Sequence, residues 1–426
     1  MDELHKHHEP NMVDSAKRLL LFDLSVGGHH PSYILYLIQY WCEHQCAGQL
    51  DIVITPTFLC RHADVIQAVQ DYQCSNVKFV AITPSEESAL KGQKTALSKA
   101  MRAFKEWQLF CKYAQLCQAD QALLMYFDTA QVAFVFAQKP PCQVSGIYFR
   151  PTFHYSSFGH SQAGFRERIQ VLREQFNLSQ LLKRSQMEKL FCLDPFVDSY
   201  INKRWGGNKA VRLADPVKLY DTHSTEPDEL RKRLSIQPGR RIFLMFGALT
   251  KRKGVDQVLD AIALLPPNLC EKMCLLMVGS LGSGASDRDR LKSRISALAE
   301  DSAVQIIVCD EFIPEKTIQL YFQVTDFVLA TYQKHIGMSG ILNRAALAQK
   351  PVISSDYGLM GEVTRRFSLG LTVDTTNPTE IAGALTRCMT EMTEELCVPL
   401  SMKQFGEQNL AEKFSSVIFQ HLLDSE

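Results

Sequence analysis

The chain has 426 residues, 46% of them hydrophobic and 22% charged, with 46 basic and 46 acidic side chains. That length suggests two or three domains of ordinary globular make-up, and a formal charge of zero gives no global pull toward nucleic acid. No apolar run approaches the roughly 18 residues that a membrane-spanning helix needs; the polar stretch Met1 to Pro10 lacks an apolar signal core, and 13 scattered cysteines without a CxxC pair fit reduced thiols in a cytoplasmic protein.

Arg18 to Leu24 reads as a first buried strand. It ends in Ser25-Val-Gly-Gly-His-His-Pro31, and a helix follows from Ser32 to Cys46 with Ile34, Leu35, Leu37, Ile38 and Trp41 as its buried stripe. Glycines at the carboxyl end of a strand let backbone or ligand approach closely, and that end is where an open α/β sheet binds ligands. Gly27, Gly28 and His29 are therefore ligand-site candidates, and the family resemblance given below implies the acceptor side for them. Strands follow at Leu50 to Thr55 and Val77 to Ile82, with a helix from Ala63 to Tyr72 between them.

Leu90 to Gln118 is predicted helical and basic, carrying Lys91, Lys94, Lys99, Arg102, Lys105 and Lys112. Phe104, Trp107, Leu109, Phe110, Tyr113 and Leu116 supply apolar surface there, and a basic helix with aromatics suits peripheral contact with an anionic membrane. The competing reading is a solvated outer face of a packed helix. Ala122 to Asp128 is a strand ending in a carboxylate, with a helix from Thr129 to Phe136. Gln143 to Phe149 is a strand leading to Arg150-Pro-Thr-Phe-His-Tyr155. A charged helix spans Gly164 to Leu182, a strand Lys189 to Leu193, and Val211 to Val217 leaves the first domain. Thr222 to Asp228 reads as a loop with a helix N-cap.

The stretch from Ile242 to Glu362 carries the clearest pattern. The apolar run Ile242 to Phe246 breaks into Gly247-Ala-Leu-Thr-Lys-Arg-Lys-Gly254 before the helix Val255 to Leu265. A strand, a turn of small and cationic residues, then a helix makes an anion pocket. Strands at Cys274 to Gly279 and Val304 to Cys309 and a helix at Pro314 to Phe322 follow. A second such turn, His335 to Arg344, follows the apolar Asp326 to Ala330; then come the strand Lys350 to Ser355 and the turn Tyr357 to Glu362. Both halves alternate strand and helix, so the expected fold class is α/β with parallel sheets: two Rossmann-like domains facing a cleft. The expected division is 1–213 on the acceptor side, 214–402 binding the nucleotide, and 403–426 as a terminal helix.

These turns resemble those of retaining glycosyltransferases of the GT-B fold, the large family four or group 1, over most of the chain and most clearly in its second half. Lys253-Gly254 fits the family's phosphate-binding lysine before a glycine, Gly358 to Val363 its glycine-then-glutamate turn, and Asn377 to Leu385 its closing helix. Gly27-Gly28 sits where the family keeps a glycine loop over acceptor and donor phosphates, and the resemblance implies that Lys403 to Leu423 crosses back to the first domain. It further implies a hexosyltransferase that moves a sugar from a nucleotide-diphosphate sugar, with retention, to a small-molecule, saccharide or lipid acceptor, with no cofactor beyond that donor. The sequence also departs from the family. Ala248 follows Gly247 where an arginine is common, so Lys251 or Arg252 supplies that charge. The family's glutamate pair, seven residues between, falls on Ile336 and Arg344; Arg344 cannot accept a hydrogen bond from a ribose hydroxyl. The strand ending Phe127-Asp128 occupies the place of the family's catalytic-loop histidine.

A diphosphate leaving group needs cations and helix-start amides where its charge develops. The donor-side candidates are Gly247, Arg252, Lys253, His335, Ser339, Gly340, Ile341, Arg344 and Glu362. The catalytic candidates are Asp128, as proton acceptor or hydroxyl ligand, and His154 and His30, whose imidazoles suit orienting an acceptor hydroxyl. Asp287-Arg-Asp289 opens a charged helix rather than ending an apolar strand, so it reads as a solvated helix start and no metal is expected. Two further readings compete: a catalytically silent GT-B protein that binds a nucleotide or sugar or serves as a partner subunit, kept open by the missing glutamates, and a dehydrogenase, disfavoured because no GxGxxG follows Leu24.

Overall fold

The structure, a computed structural model, describes residues 17–91, 95–155, 158, 165–221 and 226–423. Lys94, Gly164 and residues 222–225 of the expected loop lie outside the described residues. Among those described, thirteen strands form two sheets. The first has β1 (Arg18–Phe22), β2 (Gln49–Ile54), β3 (Val77–Ala81), β4 (Gln121–Leu124), β5 (Gln143–Tyr148), β6 (Met187–Cys192) and β7 (Ala210–Arg212), in the order β3-β2-β1-β4-β5-β6-β7. The second has β8 (Arg241–Phe246), β9 (Met273–Val278), β10 (Gln305–Cys309), β11 (Phe327–Ala330), β12 (Val352–Ser355) and β13 (Gly370–Val373), in the order β10-β9-β8-β11-β12-β13. All pairings are parallel. Both are doubly wound, with helices on either face, so their strands are buried on both sides and spelled in continuous apolar runs: Leu19 to Leu21 and Met273 to Val278 are essentially without solvent contact. This is the expected pair of Rossmann-like domains.

Strand order reverses between β1 and β4 in the first sheet and between β8 and β11 in the second. At such switch points the flanking helices diverge and leave a crevice beyond the strands' carboxyl ends. The turns after β1, β8 and β11 are rich in glycine, histidine or cations, whereas the one after β4 carries the carboxylate of Asp128.

The chain passes between the sheets at two adjacent places. Val217 donates its amide to Asn409 O at 2.9 Å and accepts from the Ala411 amide at 3.0 Å. The helix Pro399–Gln408 buries Met402 and Phe405 in the second core, whereas the helix Ala411–Leu423 buries Phe414, Ile418, Phe419 and Leu422 in the first. Phe419 meets Trp41 at 5.2 Å between ring centroids and Phe414 meets Tyr33 at 4.9 Å. Each such side chain contributes about 1.5–3 kcal/mol by leaving water.

Several local readings need correction. Within the basic segment the described helix is Ala96–Leu116, and a separate helix, Pro84–Ala89 with a Thr83–Glu86 capping box, precedes the segment. Its aromatic residues do not form a surface: Trp107, Phe110 and Tyr113 are buried in the first core, and Phe104 and Leu109 are half-buried, because the 3.6-residue repeat turns that stripe onto the sheet. The first helix starts earlier than expected, at His30, where Pro31 occupies its first turn. The helix Pro56–Arg61 and the strand β13 were not anticipated.

Candidate functional site

On the first sheet, β1 ends beside Asp23, which is 3% exposed. Its Oδ1 accepts the Ser25 amide at 2.9 Å, which bends the chain into the Gly27-Gly28 turn. Its Oδ2 lies 2.6 Å from His30 Nδ1. The carboxylate thus fixes the tautomer with hydrogen on Nδ1 and leaves Nε2 as the ring's acceptor. Gly28 has φ +68°, and a Cβ built on Gly27 or Gly28 meets no protein atom within 4 Å. Position 28 is strained for any other residue, and the turn is open to a visitor. His29 stacks on His30 at 4.5 Å and on Phe149 at 4.8 Å; burial against these rings and the charges of His30 and Arg150 push its imidazole well below the usual range.

Asp128 lies beside this turn. Its two oxygens accept the amides of Phe149 and Arg150 at 2.9 and 2.8 Å. Burial raises its carboxyl to about 6 despite those bonds. Its visible work is to anchor the loop after β5, which sets Phe149 against His29 and projects Arg150. His154 is buried, with Nδ1 3.1 Å from Asp194 Oδ2 and rings of Phe158 and Tyr200 packed around it. That is the environment of a core histidine, apart from the His29–His30 turn.

On the second sheet, Lys251–Lys253 forms a single 3-10 turn that ends at Gly254 in the left-handed region, φ +73°. A Cβ there would stand 2.2 Å from Thr331 O, so only glycine lets the turn after β8 lie against the turn after β11. This packing buries Lys253 to 7% exposure. Its Nζ donates to Phe246 O at 2.8 Å and to the Tyr332 hydroxyl, and lies 4.2 Å from the centroid of the Tyr332 ring. Arg252 lies over the same ring at 5.1 Å. Tyr332 Oη is 2.6 Å from Ser339 Oγ, so Ser339 belongs to this cluster. Burial lowers the lysine's affinity for its proton, partly offset by Tyr332. Among the described residues no carboxylate pairs with Lys253, Arg252 or Arg150, and two of the three Lys253 N–H groups are used. A Cβ at Gly247 would stand 3.3 Å from Lys253 Nζ, so that glycine keeps the ammonium's flank clear.

His335 closes this wall. Its Nε2 is 3.1 Å from Met338 O and so carries the hydrogen, leaving Nδ1 as acceptor. Burial lowers its pKa; the Met338 bond opposes this, while the charges of Arg252, Arg150 and Lys253 reinforce it. Arg150 therefore acts on His29 of the first sheet and His335 of the second. Sequence reasoning passed over Arg150 and Asp23. A lone arginine before a proline has no periodic signature, and Asp23 reads as one more residue of the strand Arg18 to Leu24; only the tertiary pairing with His30 marks it.

The remaining candidates sit elsewhere. Gly340 and Ile341 start the helix Ile341–Leu347, and a Cβ on Gly340 would lie 3.8 Å from Asp215 Oδ2, so a carboxylate of the linker already faces that start. Asp215 also accepts from the Tyr33 hydroxyl at 2.7 Å, and its backbone carbonyl from Asn343 Nδ2 at 2.8 Å, which ties the two domains together. Arg344 pairs with Glu315 on a neighbouring helix. Burial pushes the Glu362 carboxyl up, but Arg366 and Arg365 engage it and together hold its pKa below the usual value. Asp287 accepts the Ser283 amide and pairs with Arg290, as a helix-start carboxylate does.

Two doubly wound sheets meeting at their switch points, with unpaired cations on one side, are the features to set beside known proteins. Residues 226–402 match the family described as glycosyl transferases group 1. This part of the chain, somewhat under half of it, is similar to group 1 glycosyltransferases. Over 198 residues, 40% of the chain, it is 24% identical to the D-inositol 3-phosphate glycosyltransferase of Acidothermus cellulolyticus, and the match covers 43% of that relative; the chain thus spans under half the length of this curated relative. Solved structures extend the likeness to nearly the whole chain. Anabaena HepE in complex with UDP superposes with a TM-score of 0.63 at 14% identity, covering 96% of this chain and 100% of that one. Sucrose-phosphate synthase from Thermosynechococcus elongatus gives 0.62 at 14% identity over the same shares. The N-terminal domain of Candida albicans trehalose-6-phosphate phosphatase gives 0.65 at 12%, covering 99% of each chain. At these identities the structures establish the fold, GT-B, which agrees with the resemblance read from the turns at 247–254 and 358–363. Lys253-Gly254 lies inside the matched region, at the turn that this resemblance singled out.

Proposed function

We propose that the chain is a glycosyltransferase that moves a sugar, a hexose by the family resemblance, from a nucleotide-diphosphate sugar to a hydroxylated acceptor, with retention. The observation that carries this is Lys253: a buried ammonium with no carboxylate partner and an unused N–H, beside a second cation, at the switch point of a parallel sheet. An isolated buried cation is costly, and an anionic ligand removes that cost. A diphosphate does so most fully as the glycosidic bond breaks and its negative charge grows. Lys253 and Arg252 would hold it, Ser339 would keep Tyr332 turned to the lysine, and His335 Nδ1 would accept a hydroxyl of the donor sugar. Across from them His30, oriented by Asp23, would accept the acceptor's hydroxyl proton, with the open Gly27-Gly28 turn giving room for the sugar. Arg150, projected by the Asp128-anchored loop, would meet the same anion from the first domain. Side-chain charge alone would neutralise the leaving group, without a metal or other cofactor.

A second reading has one specific observation in its favour. Arg344 stands where the resemblance puts the ribose-binding glutamate, and it is committed to Glu315. A silent GT-B protein that binds a nucleotide or serves as a subunit would show this. The two readings separate in one experiment. The full chain is titrated calorimetrically with UDP, GDP and ADP, then incubated with the matching sugar nucleotides and a panel of sugar, polyol and lipid acceptors, with release of nucleoside diphosphate as the readout. Acceptor-dependent release supports transfer. Binding with no release across the panel supports the silent reading, and failure of all three nucleotides to bind would sink both.

A further inference from the structure

The two places where the chain passes between the sheets border a cavity that the proposed transfer site does not use. It lies between the second half of the helix His30–Glu43, the linker residues Val217 to Leu219 and the start of the helix Ala411–Leu423. Its volume is about 410 Å³, within the usual range of small-molecule sites. Gln39 and Glu43 line it well past His30 on their helix. At 1.5 Å per residue the cavity therefore stands roughly 14–20 Å from the end of that helix that carries His30.

The lining gathers donors that lack acceptors. Lys218 is half-buried; its Nζ donates to Gln39 Oε1 at 2.7 Å, and among the described residues no carboxylate pairs with it. An ammonium has three N–H groups, so some remain for a ligand. Ser415 is fully buried, and among the described residues its hydroxyl has no hydrogen-bond partner. Ala411 and Ser415, one turn apart, share the helix face that borders the cavity. At the start of that helix the Ala411 amide bonds Val217 O and the Phe414 amide bonds Leu410 O. The amides of Glu412 and Lys413 between them have no partner among the described residues. An ammonium, a buried hydroxyl and the positive end of a helix together suit an anion.

Carboxylates stand at the rim. Glu43 accepts the Tyr72 hydroxyl at 2.7 Å through one oxygen, and Glu412 is exposed. The charges of Glu43 and of Lys316, from the second domain, both reach Lys218. A ligand here must therefore offer an anion to the donors and hydroxyls to the carboxylates.

We propose that this cavity binds a small phosphate monoester with a hydroxylated body. Its phosphate oxygens would accept from Lys218, the Ser415 hydroxyl and the first-turn amides, and its hydroxyls would donate to Glu43 and Glu412. Free phosphate would leave most of the volume empty. Lys218 belongs to one passage between the sheets and Ser415 to the other, so the bound ester would tie the two passages together. The site needs no sugar nucleotide and stands apart from the transfer reading.

The test is calorimetry of the full chain with inorganic phosphate, glycerol 3-phosphate and ribose 5-phosphate, beside glycerol and ribose. At least one ester is expected to bind at millimolar concentration or below and more tightly than phosphate, with no binding of the unphosphorylated controls. Lys218→Met should weaken the better ester by about tenfold or more, the scale of a lost charge-assisted hydrogen bond. Ser415→Ala should weaken it severalfold without lowering the thermal melt, since that hydroxyl has no partner to lose. Lys253→Ala should leave it unchanged. Hydrogen exchange with the ester bound should slow at residues 217–219 and 410–415. Absence of binding by both esters, unchanged binding in Lys218→Met, or loss of binding in Lys253→Ala would overturn the proposal. So would phosphate that binds as tightly as either ester, or a Ser415→Ala variant that binds as the parent does.

Discussion

The two switch points use opposite chemistry at equivalent places in the same kind of sheet. After β8 the turn is built around a cation: Lys253 is buried, squeezed by Gly254 against Thr331, and denied a carboxylate. After β1 the turn is built around an imidazole: Asp23 holds His30, and the glycines before it face open space. On the proposed function one wall receives an anion and the other a hydroxyl. A parallel sheet supplies only the crevice; the four or five residues after each strand decide what it receives.

That contrast predicts that the first wall governs turnover and the second governs donor binding. The largest effect should come from Gly28→Val, which forces a branched residue to φ +68° and fills the open space. Transfer should fall by about 100-fold or more, the scale of a misplaced reacting group, while the dissociation constant for the nucleoside diphosphate stays within error; a loss of nucleotide affinity instead would break the division between the walls. Next, His30→Ala should lower turnover by about 100-fold, and Asp23→Asn should do the same in part and shift the pH–rate profile, since the amide no longer fixes the tautomer. A variant that only melts earlier and keeps its specific activity would make the pair structural. Lys253→Ala should weaken diphosphate binding by about 1.5–3 kcal/mol by calorimetry, with Arg252→Ala equal or smaller; unchanged affinity in both would remove this turn from the donor site. Arg150→Ala should raise the donor's KM by an amount worth about 1 kcal/mol, largely restored by Arg150→Lys. The smallest effect is on stability. The folded pKa of His29 is depressed, so the unfolded chain binds the extra proton more readily between the two values. Its contribution is therefore present above the ordinary histidine pKa and lost as pH falls toward about 4. Melts of His29→Gln should show a shallower decline over that window than the parent.

How much of this was legible depended on whether the signal was local. The strands of both sheets were, because doubly covered strands are written as unbroken apolar runs, and so was the Gly247 to Gly254 turn, where small and cationic residues sit between a strand and a helix. β13 escaped because Gly370-Leu-Thr-Val is four residues with one small and one polar member. The burial of Trp107, Phe110 and Tyr113 could have been read from their helical spacing, but spacing gives a stripe without saying which side is wet. The partners Asp23 for His30, Asp194 for His154 and Glu315 for Arg344 lie 7, 40 and 29 residues away and are set by topology alone. For that reason residue type identified candidates on both walls, whereas the assignment of Asp128 to loop anchoring and of His154 to the core needed the fold.

The helix Ala411–Leu423 gives the chain an order of completion at odds with its order of synthesis. The first sheet is translated before the second, yet the side chains that close over Trp41 and Tyr33 follow the whole second sheet in the chain. Until then the first domain carries an apolar gap that a chaperone must shield or that must stay loosely folded, while the second, whose core needs nothing beyond Phe405, is already able to close. The nascent protein would thus mature from its middle outward, and a stop codon near residue 410 would spoil the half of the molecule that was made first.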